Sequence, residues 1–400
     1  MPQGIATVFT EPGKPFELET LPTPDTEEGG ILIKNTDAVI CGSDLHVWRG
    51  DGDGPPLSQR RILGHEFTGV VHSLGKGIET DSLRRPLKEG DRVAFPFFFP
   101  CHRCYHCIRG EHHACTFRSR RNMVGLDKYR YCNGGMAEYF YLQPGHYAYK
   151  VPDQLPSDAI PSVNCALAQV LFGLERVGVA FGDTVVVQGA GGLGIYATAV
   201  AADRGASQVI VIDGQQNRLE RAKNCGATAT ISMDEYPTSE SRVERVRELT
   251  NGIGADIVVE VVGIAAATYE GLDMVRINGS YLDIGNIGGG SITIPASKVI
   301  GNQTKWVGTV HYDPWVIEAA LQFLVRTKNK YELMDVVSDK FPIEKVNEAF
   351  EFAEWHGKGS GTQAQRVALH MDCTPDISNI KIRLIIPPHI YCRLKETYAL

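Results

Sequence analysis

Six consecutive residues, Cys41-Gly42-Ser43-Asp44-Leu45-His46, place a thiol, a hydroxyl, a carboxyl and an imidazole in one short stretch. A thiolate can hold a metal ion, a hydroxyl can pass on the proton of a substrate held there, and an imidazole can carry that proton away. Such chemistry needs two more metal ligands, a hydride acceptor and a scaffold, which the rest of the chain must supply. A second cysteine-rich stretch is Cys101-x2-Cys104-x2-Cys107-x7-Cys115. Four thiolates at this spacing can surround one ion tetrahedrally, the closed arrangement of structural zinc. An iron–sulfur cluster is the competing reading, because spacings of two also serve clusters. Arg103 and Arg109 would offset part of the negative charge. His102, His106, His112 and His113 are expected to face solvent, since four thiolates already fill the shell.

A third feature is Gly189-Ala190-Gly191-Gly192-Leu193-Gly194. Alone, a G-x-G-x-x-G turn says little. Here it follows the apolar run Thr184–Gln188, opens a helical stretch, and precedes Asp213 at the end of the next apolar run. That is the context of a dinucleotide site: the glycines let the pyrophosphate approach the backbone at a helix N-terminus. Asp213 would accept hydrogen bonds from the ribose hydroxyls and repel a 2′-phosphate, which favours NAD over NADP.

Composition sets the frame for these motifs. A chain of 400 residues exceeds what one core usually supports, so two or three domains are expected. With 43% hydrophobic and 22% charged residues it has the make-up of a globular protein. A formal net charge of −7 gives no reason to expect nucleic acid or an anionic membrane as partner. Residues 1–20 lack a basic start followed by an apolar run, and no apolar stretch approaches membrane length. Ten cysteines in so long a chain suit metal binding in a reducing, cytoplasmic setting better than disulfides.

The elements that would position these residues fall into two classes. Residues 1–40 alternate short apolar runs with Pro and Gly, which predicts strands joined by turns; Gly64-His65 should be a loop entering another strand, and 89–95 a turn and strand. From about residue 165, Val/Ile runs alternate with helical segments. Strands are expected at 184–189, 208–213, 256–262 and 280–285, with helices at 191–204, 215–225, 241–251 and 265–276. This alternation predicts an α/β fold with a doubly wound parallel sheet covered on both faces. A helix around 316–326 and a strand near 366–369 should pack back on the N-terminal β region. Residues 371–400, broken by Pro387-Pro388, fit neither class and are expected to form a peripheral tail.

Taken together, Cys41-Gly-Ser-Asp-x-His46, Gly64-His65-Glu66, the four-cysteine lobe, Gly134-Gly135-x-Ala137-Glu138-Tyr139, Cys165, the glycine turn and Asp213 resemble the zinc-dependent alcohol dehydrogenases of the medium-chain dehydrogenase/reductase superfamily. The resemblance runs from about residue 4 to 369. It implies a GroES-like, mainly β catalytic domain over 1–165 and 306–370, and a Rossmann domain over 166–305. It implies that Cys41, His65 and Cys165 hold a catalytic zinc, with the fourth position open to water or substrate, and that the four-cysteine lobe holds a second, structural zinc. Asp44 would orient His65, and Glu66 would stand near the metal and exchange with a ligand. Ser43 and His46 would relay the proton of an alcohol whose acidity zinc increases, as hydride passes to NAD. The cofactor would meet Gly189, Gly191, Gly192, Leu193, Gly194, Asp213, Arg218 and Arg366.

Trp48, Phe97, Phe98 and Trp306 are candidates for a substrate wall. Cys132, Cys225, Cys373 and Cys392 are read as structural. Gly42 stands where some alcohol dehydrogenases carry a basic residue, and resembles the polyol and threonine branches. Those branches often put Glu where Cys165 stands, so features of two branches are mixed. The leading expectation is oxidation of a primary or secondary alcohol to an aldehyde or ketone, with a polyol or threonine-type dehydrogenase as the alternative. A catalytically silent relative is the third reading, opposed by the intact set of ligands and relay residues. A homodimer or homotetramer is the assembly the family suggests.

Overall fold

The computed structural model describes residues 3–51, 60–120, 125–126, 132–285, 290–354 and 365–371. Its centre is a six-stranded parallel sheet in the order Ala229–Ser232, Gln208–Asp213, Thr184–Gln188, Ala255–Glu260, Val275–Asp283 and Lys305–Gly308. Runs such as Val185-Val186-Val187 form these strands because a sheet covered on both faces accepts β-branched apolar residues at every position. All three are fully buried. Strand order reverses beside Thr184–Gln188, which opens a crevice at the carboxyl ends of the strands, where ligands bind in such sheets. Helices Gly192–Asp203, Gln216–Asn224, Ser239–Leu249 and Ala265–Met274 form the connections, each within two residues of the range predicted.

The N-terminal part is antiparallel β. Glu17–Pro22, Gln3–Phe9 and Arg61–Ile62 form one small sheet. A second runs Tyr149–Lys150, Arg92–Ala94, Glu66–Leu74, Ile31–Val39, Val367–His370 and Asp339–Pro342, with Tyr139–Leu142 also paired to Ile31–Val39. Register in this sheet builds the candidate metal site. Val39 pairs with Glu66, so Cys41, two residues past the end of its strand, lies beside His65 and Glu66 at the start of the partner strand. Ala368 pairs with Val39, and Ile40 N–H bonds Val367 O at 2.9 Å, which brings Arg366 to the same place. The last strand thus packs on the N-terminal β region as predicted.

One boundary differs from the expectation. The parallel sheet does not stop at 305: Lys305–Gly308 is its edge strand, with Trp306 opposite Tyr281. Helix Trp315–Thr327 buries Val316, Ile317, Ala320 and Leu321 in the core that also holds Val185 and Val187. The chain rejoins the sheet of the N-terminal region only at Asp339–Pro342, which pairs parallel with Val367–His370 at its edge. Of the tail expected over 371–400, Met371 is buried and bonds Thr36 O; residues 372–400, with Cys373 and Cys392, lie outside the described residues. Among the described residues no helix is long and apolar enough to cross a membrane.

Candidate active site

Ligand atoms of Cys41, His65, Glu66 and Cys165 all lie within 4.8 Å of one another. Each comes from a different local device. Cys41 is the N-cap of helix Gly42–Arg49, and Asp44 at its third position accepts the Cys41 N–H through Oδ2 at 3.0 Å. The other Asp44 oxygen accepts the Gly64 N–H at 3.3 Å and faces His65 Nδ1 at 3.4 Å. One buried carboxylate therefore ties two ligand segments together and turns Nε2 of His65 toward the cluster, as expected of a residue that orients a metal-bound imidazole. Gly64 has φ +87°, and a Cβ there would meet Met136 Cγ at 2.7 Å and its N at 2.9 Å, so no other residue fits this entry to the strand. Cys165 sits on a single π-helical turn, Val163–Leu167, a deformation frequent at functional sites. The Gln169 amide donates to its sulfur at 3.0 Å.

The electrostatics follow from this crowding. A hydrogen bond from Cys165 holds Cys41 well below the usual thiol range, with His65 adding to the effect and burial opposing it. The same bond, with burial, pushes Cys165 well above that range. For His65, burial works against the charged imidazolium, but the Asp44 carboxylate and Cys41 outweigh it and raise its pKa. Burial pushes Glu66 up to about 8, against the opposing charge of Arg366. Glu66 Oε2 pairs with the Arg366 guanidinium, while the buried Oε1 has no hydrogen-bond partner among the described residues. Two thiols, an imidazole and a carboxylate with an orphaned oxygen are a donor set that suits Zn²⁺.

The four-cysteine lobe also fits a single ion. Cys101 and Cys107 sulfurs are 4.0 Å apart, and those of Cys104 and Cys115 3.8 Å. Zn–S bonds of about 2.3 Å give a tetrahedron with edges of about 3.8 Å. A multi-iron cluster, sitting between its cysteines, would hold the sulfurs farther apart, which favours the mononuclear reading. A hydrogen bond from the Cys107 N–H lowers the Cys104 thiol to about 6, and burial raises Cys107 to about 12. The histidines are not simply solvated: His106 pairs with Glu111 at 2.9 Å, and His113 bonds Asp313 Oδ1 through both its N–H (2.9 Å) and Nδ1 (3.0 Å).

The glycine turn caps helix Gly192–Asp203 at Gly191. Asp213 is buried; Oδ2 accepts the Ala190 N–H at 2.7 Å and Oδ1 the Gln215 N–H at 2.8 Å. Its carboxylate thus braces the turn as well as facing the crevice. Half-buried Arg218 lies near Asp213 and Gly191. Arg366 spans from Glu66 to Gly192, where a Cβ would collide with its guanidinium group, and Gln365 Nε2 donates to Ala190 O at 3.0 Å. The returning strand therefore joins the glycine turn to the cluster of candidate metal ligands.

Residues 27–153 match the model described as alcohol dehydrogenase GroES-like domain, and residues 192–326 the one described as zinc-binding dehydrogenase. A 5-exo-hydroxycamphor dehydrogenase of Pseudomonas putida is 33% identical over 356 residues, covering 87% of this chain and 95% of the relative. The chain belongs to the zinc-dependent alcohol dehydrogenase family. An L-threonine 3-dehydrogenase of Bacillus licheniformis is 31% identical, covering 85% of this chain and 92% of its own. The crystal structure of an alcohol dehydrogenase from Thermotoga maritima superimposes with a TM-score of 0.83 at 27% identity, over 92% of this chain and all of the other.

Within this dehydrogenase scaffold the relay candidates separate. Ser43 Oγ is 3.3 Å from His65 Nε2, at the cluster itself. His46 lies on the same face of the helix, three residues on, with Nδ1 turned outward to Asp51 at 2.8 Å and Arg49 at 3.1 Å. The aromatic candidates divide. Phe97 packs on His65 with centroids 5.0 Å apart, and with Phe98 it encloses the buried His311. Trp48 instead packs on Phe350 and Trp306 on Tyr281, so neither touches the cluster's rings. Gln169 and Tyr312, whose hydroxyl donates to Asn164 O beside Cys165, carried no sequence signal.

Proposed function

We propose that this chain is a zinc-dependent, NAD-linked dehydrogenase that converts a primary or secondary alcohol to an aldehyde or ketone. The observation that carries the reading is the convergence of Cys41, His65 and Cys165 on one point, joined through Glu66 and Arg366 to the glycine turn. When bound, zinc would supply a Lewis acid at the substrate oxygen and NAD a hydride acceptor. The protein's own groups do the rest. Asp44 fixes the His65 ring, and Gln169 holds the Cys165 sulfur. Ser43, against the metal-facing edge of His65, is placed to take the substrate hydroxyl proton, and His46 to move it toward solvent. Phe97 covers one side of His65 and keeps water from it.

Gly189, Gly191, Gly192, Leu193, Gly194 and Arg218 would hold the cofactor, with Arg366 on its phosphates. Asp213 would bind the ribose hydroxyls through its remaining lone pairs and disfavour a 2′-phosphate. The four-cysteine lobe would carry a second, structural zinc. We place the enzyme in the cytoplasm, where thiolate ligands stay reduced, as a homodimer or homotetramer. The edge strand Lys305–Gly308, with Trp306 42% exposed, supports assembly through the nucleotide-binding sheet.

The aromatic wall of Phe97 and Phe98 supports an alcohol with an apolar skeleton. Gly42, together with a threonine dehydrogenase among the relatives, favours the polyol or threonine reading instead. A panel of cyclic and linear alcohols, vicinal diols and threonine, followed by NADH absorbance, separates them. Turnover confined to diols or threonine would replace the first reading by the second, and no turnover by zinc-loaded protein would leave a silent relative.

A further inference from the structure

His46 Nδ1 stands between two groups of opposite kind. Asp51 Oδ1 is 2.8 Å away and can only accept from it; Arg49 Nη2 is 3.1 Å away and can only donate to it. A single nitrogen cannot satisfy both at once. With a proton on Nδ1 the bond to Asp51 forms, and without one the lone pair takes a bond from Arg49. The two partners are themselves fixed. Arg49 Nε donates to Asp51 Oδ2 at 2.6 Å, and Arg49 Nη1 grips both oxygens of Glu354 at 2.9 and 3.0 Å. Among the described residues, the charged groups around the imidazole include Arg49 of its own helix and Asp51 of the following loop, with Glu354 at the end of helix Val346–Ala353 reaching it through Arg49.

We propose that Arg49 and Asp51 are positioning residues that set the protonation state of His46 by offering Nδ1 a partner in each state. The inference rests on the proposed role of His46 as the proton acceptor of an alcohol dehydrogenase. With Nδ1–H on Asp51, Nε2 keeps a lone pair and is the nitrogen that accepts the substrate's proton. The imidazolium so formed then releases the Nδ1 proton to water, one proton gained and one lost; Arg49 bonds the vacated lone pair until exchange with water takes the proton from Nε2 and returns one to Nδ1, which restores the starting tautomer. The side chain of His46 is 14% exposed and that of Asp51 36%, so the outward nitrogen borders solvent.

Two substitutions pull this arrangement in opposite directions. Asp51→Asn removes the negative partner and leaves Arg49, so the imidazolium is disfavoured and the His46 pKa falls by about one unit. Arg49→Gln leaves Asp51 unopposed, and the pKa rises by about the same amount. The test is an NMR titration of the His46 ring in zinc-loaded protein, beside the acid limb of kcat for alcohol oxidation, which should move down in Asp51→Asn and up in Arg49→Gln. Shifts in the same direction, or none in either variant, would overturn the proposal. His46→Gln separates this failure from failure of the underlying reading. Loss of the acid limb in His46→Gln with unmoved limbs in the other two leaves the relay and sinks the positioning role. An unchanged profile in His46→Gln sinks both.

Discussion

Asp44→Asn is the perturbation that most sharply probes the coupling between fold and metal. The wild-type carboxylate, 2% exposed, serves three donors: Cys41 N–H at 3.0 Å, Gly64 N–H at 3.3 Å and the His65 ring at 3.4 Å. Asparagine keeps the shape but only one accepting atom. If that oxygen stays with Cys41, the new amide group points its own hydrogens at Gly64 N–H and at His65. A buried donor left unpaired costs about 1–3 kcal/mol. At about 1.4 kcal/mol per factor of ten this corresponds to a zinc affinity roughly 10- to 100-fold lower, the usual effect of losing a carboxylate behind a metal-bound histidine. Competition against a chromogenic zinc chelator measures it, and the four-cysteine lobe, whose sulfurs Asp44 does not touch, is the internal reference. An affinity within threefold of wild type would refute the argument that Asp44 orients His65.

Other outcomes follow from the same geometry. Cys41→Ala should abolish turnover while NAD still raises the melting temperature, because the glycine turn lies on another sheet; loss of folding would sink the ligand assignment. Asp213→Gly should relax the NAD/NADP preference by at least about tenfold in kcat/KM, and should also lower stability, since two backbone N–H groups lose their acceptor. Glu260 provides a pH prediction away from the metal. Burial raises its pKa from 4.5 to about 7 in the folded protein, against the pull of the Val262 and Gly263 N–H groups that its Oε1 accepts. The folded state thus holds this proton more tightly than the unfolded chain, so stability is lost as pH rises from about 4.5 through about 7. The loss is on the order of 3 kcal/mol at 1.4 kcal/mol per unit. Denaturant melts of Glu260→Gln should lack that slope relative to wild type; parallel curves would show the carboxyl ionises freely.

Much of this was legible in local patterns. The four cysteines point to a metal lobe through spacing alone, and the glycine turn with Asp213 points to a nucleotide crevice because a tight turn must have glycine wherever a side chain would collide. Val and Ile runs located the parallel strands for the same reason of two-sided burial. Features carried by long-range contact were not legible. The Glu66–Arg366 pair joins residues 300 apart, and nothing local in Gln-Arg-Val says which carboxylate awaits it. The edge strand Lys305–Gly308 escaped because an edge, half exposed, needs no apolar run, and Trp306, read as a pocket residue, covers Tyr281. The π-helical turn under Cys165 leaves no trace in Asn164-Cys165-Ala166. Arg49 and Asp51 carry no local signal of a role; only the end of their helix, folded back, brings them onto His46.

Zinc content by elemental analysis, measured on wild type and on Cys165→Ala, decides whether Cys41, His65 and Cys165 hold a metal ion. Wild type should carry zinc at both clusters, and Cys165→Ala should retain only the ion of the four-cysteine lobe, with alcohol oxidation lost. Undiminished zinc in the variant, or wild type with the lobe's ion alone, would contradict the assignment of Cys41, His65 and Cys165 as the catalytic metal site.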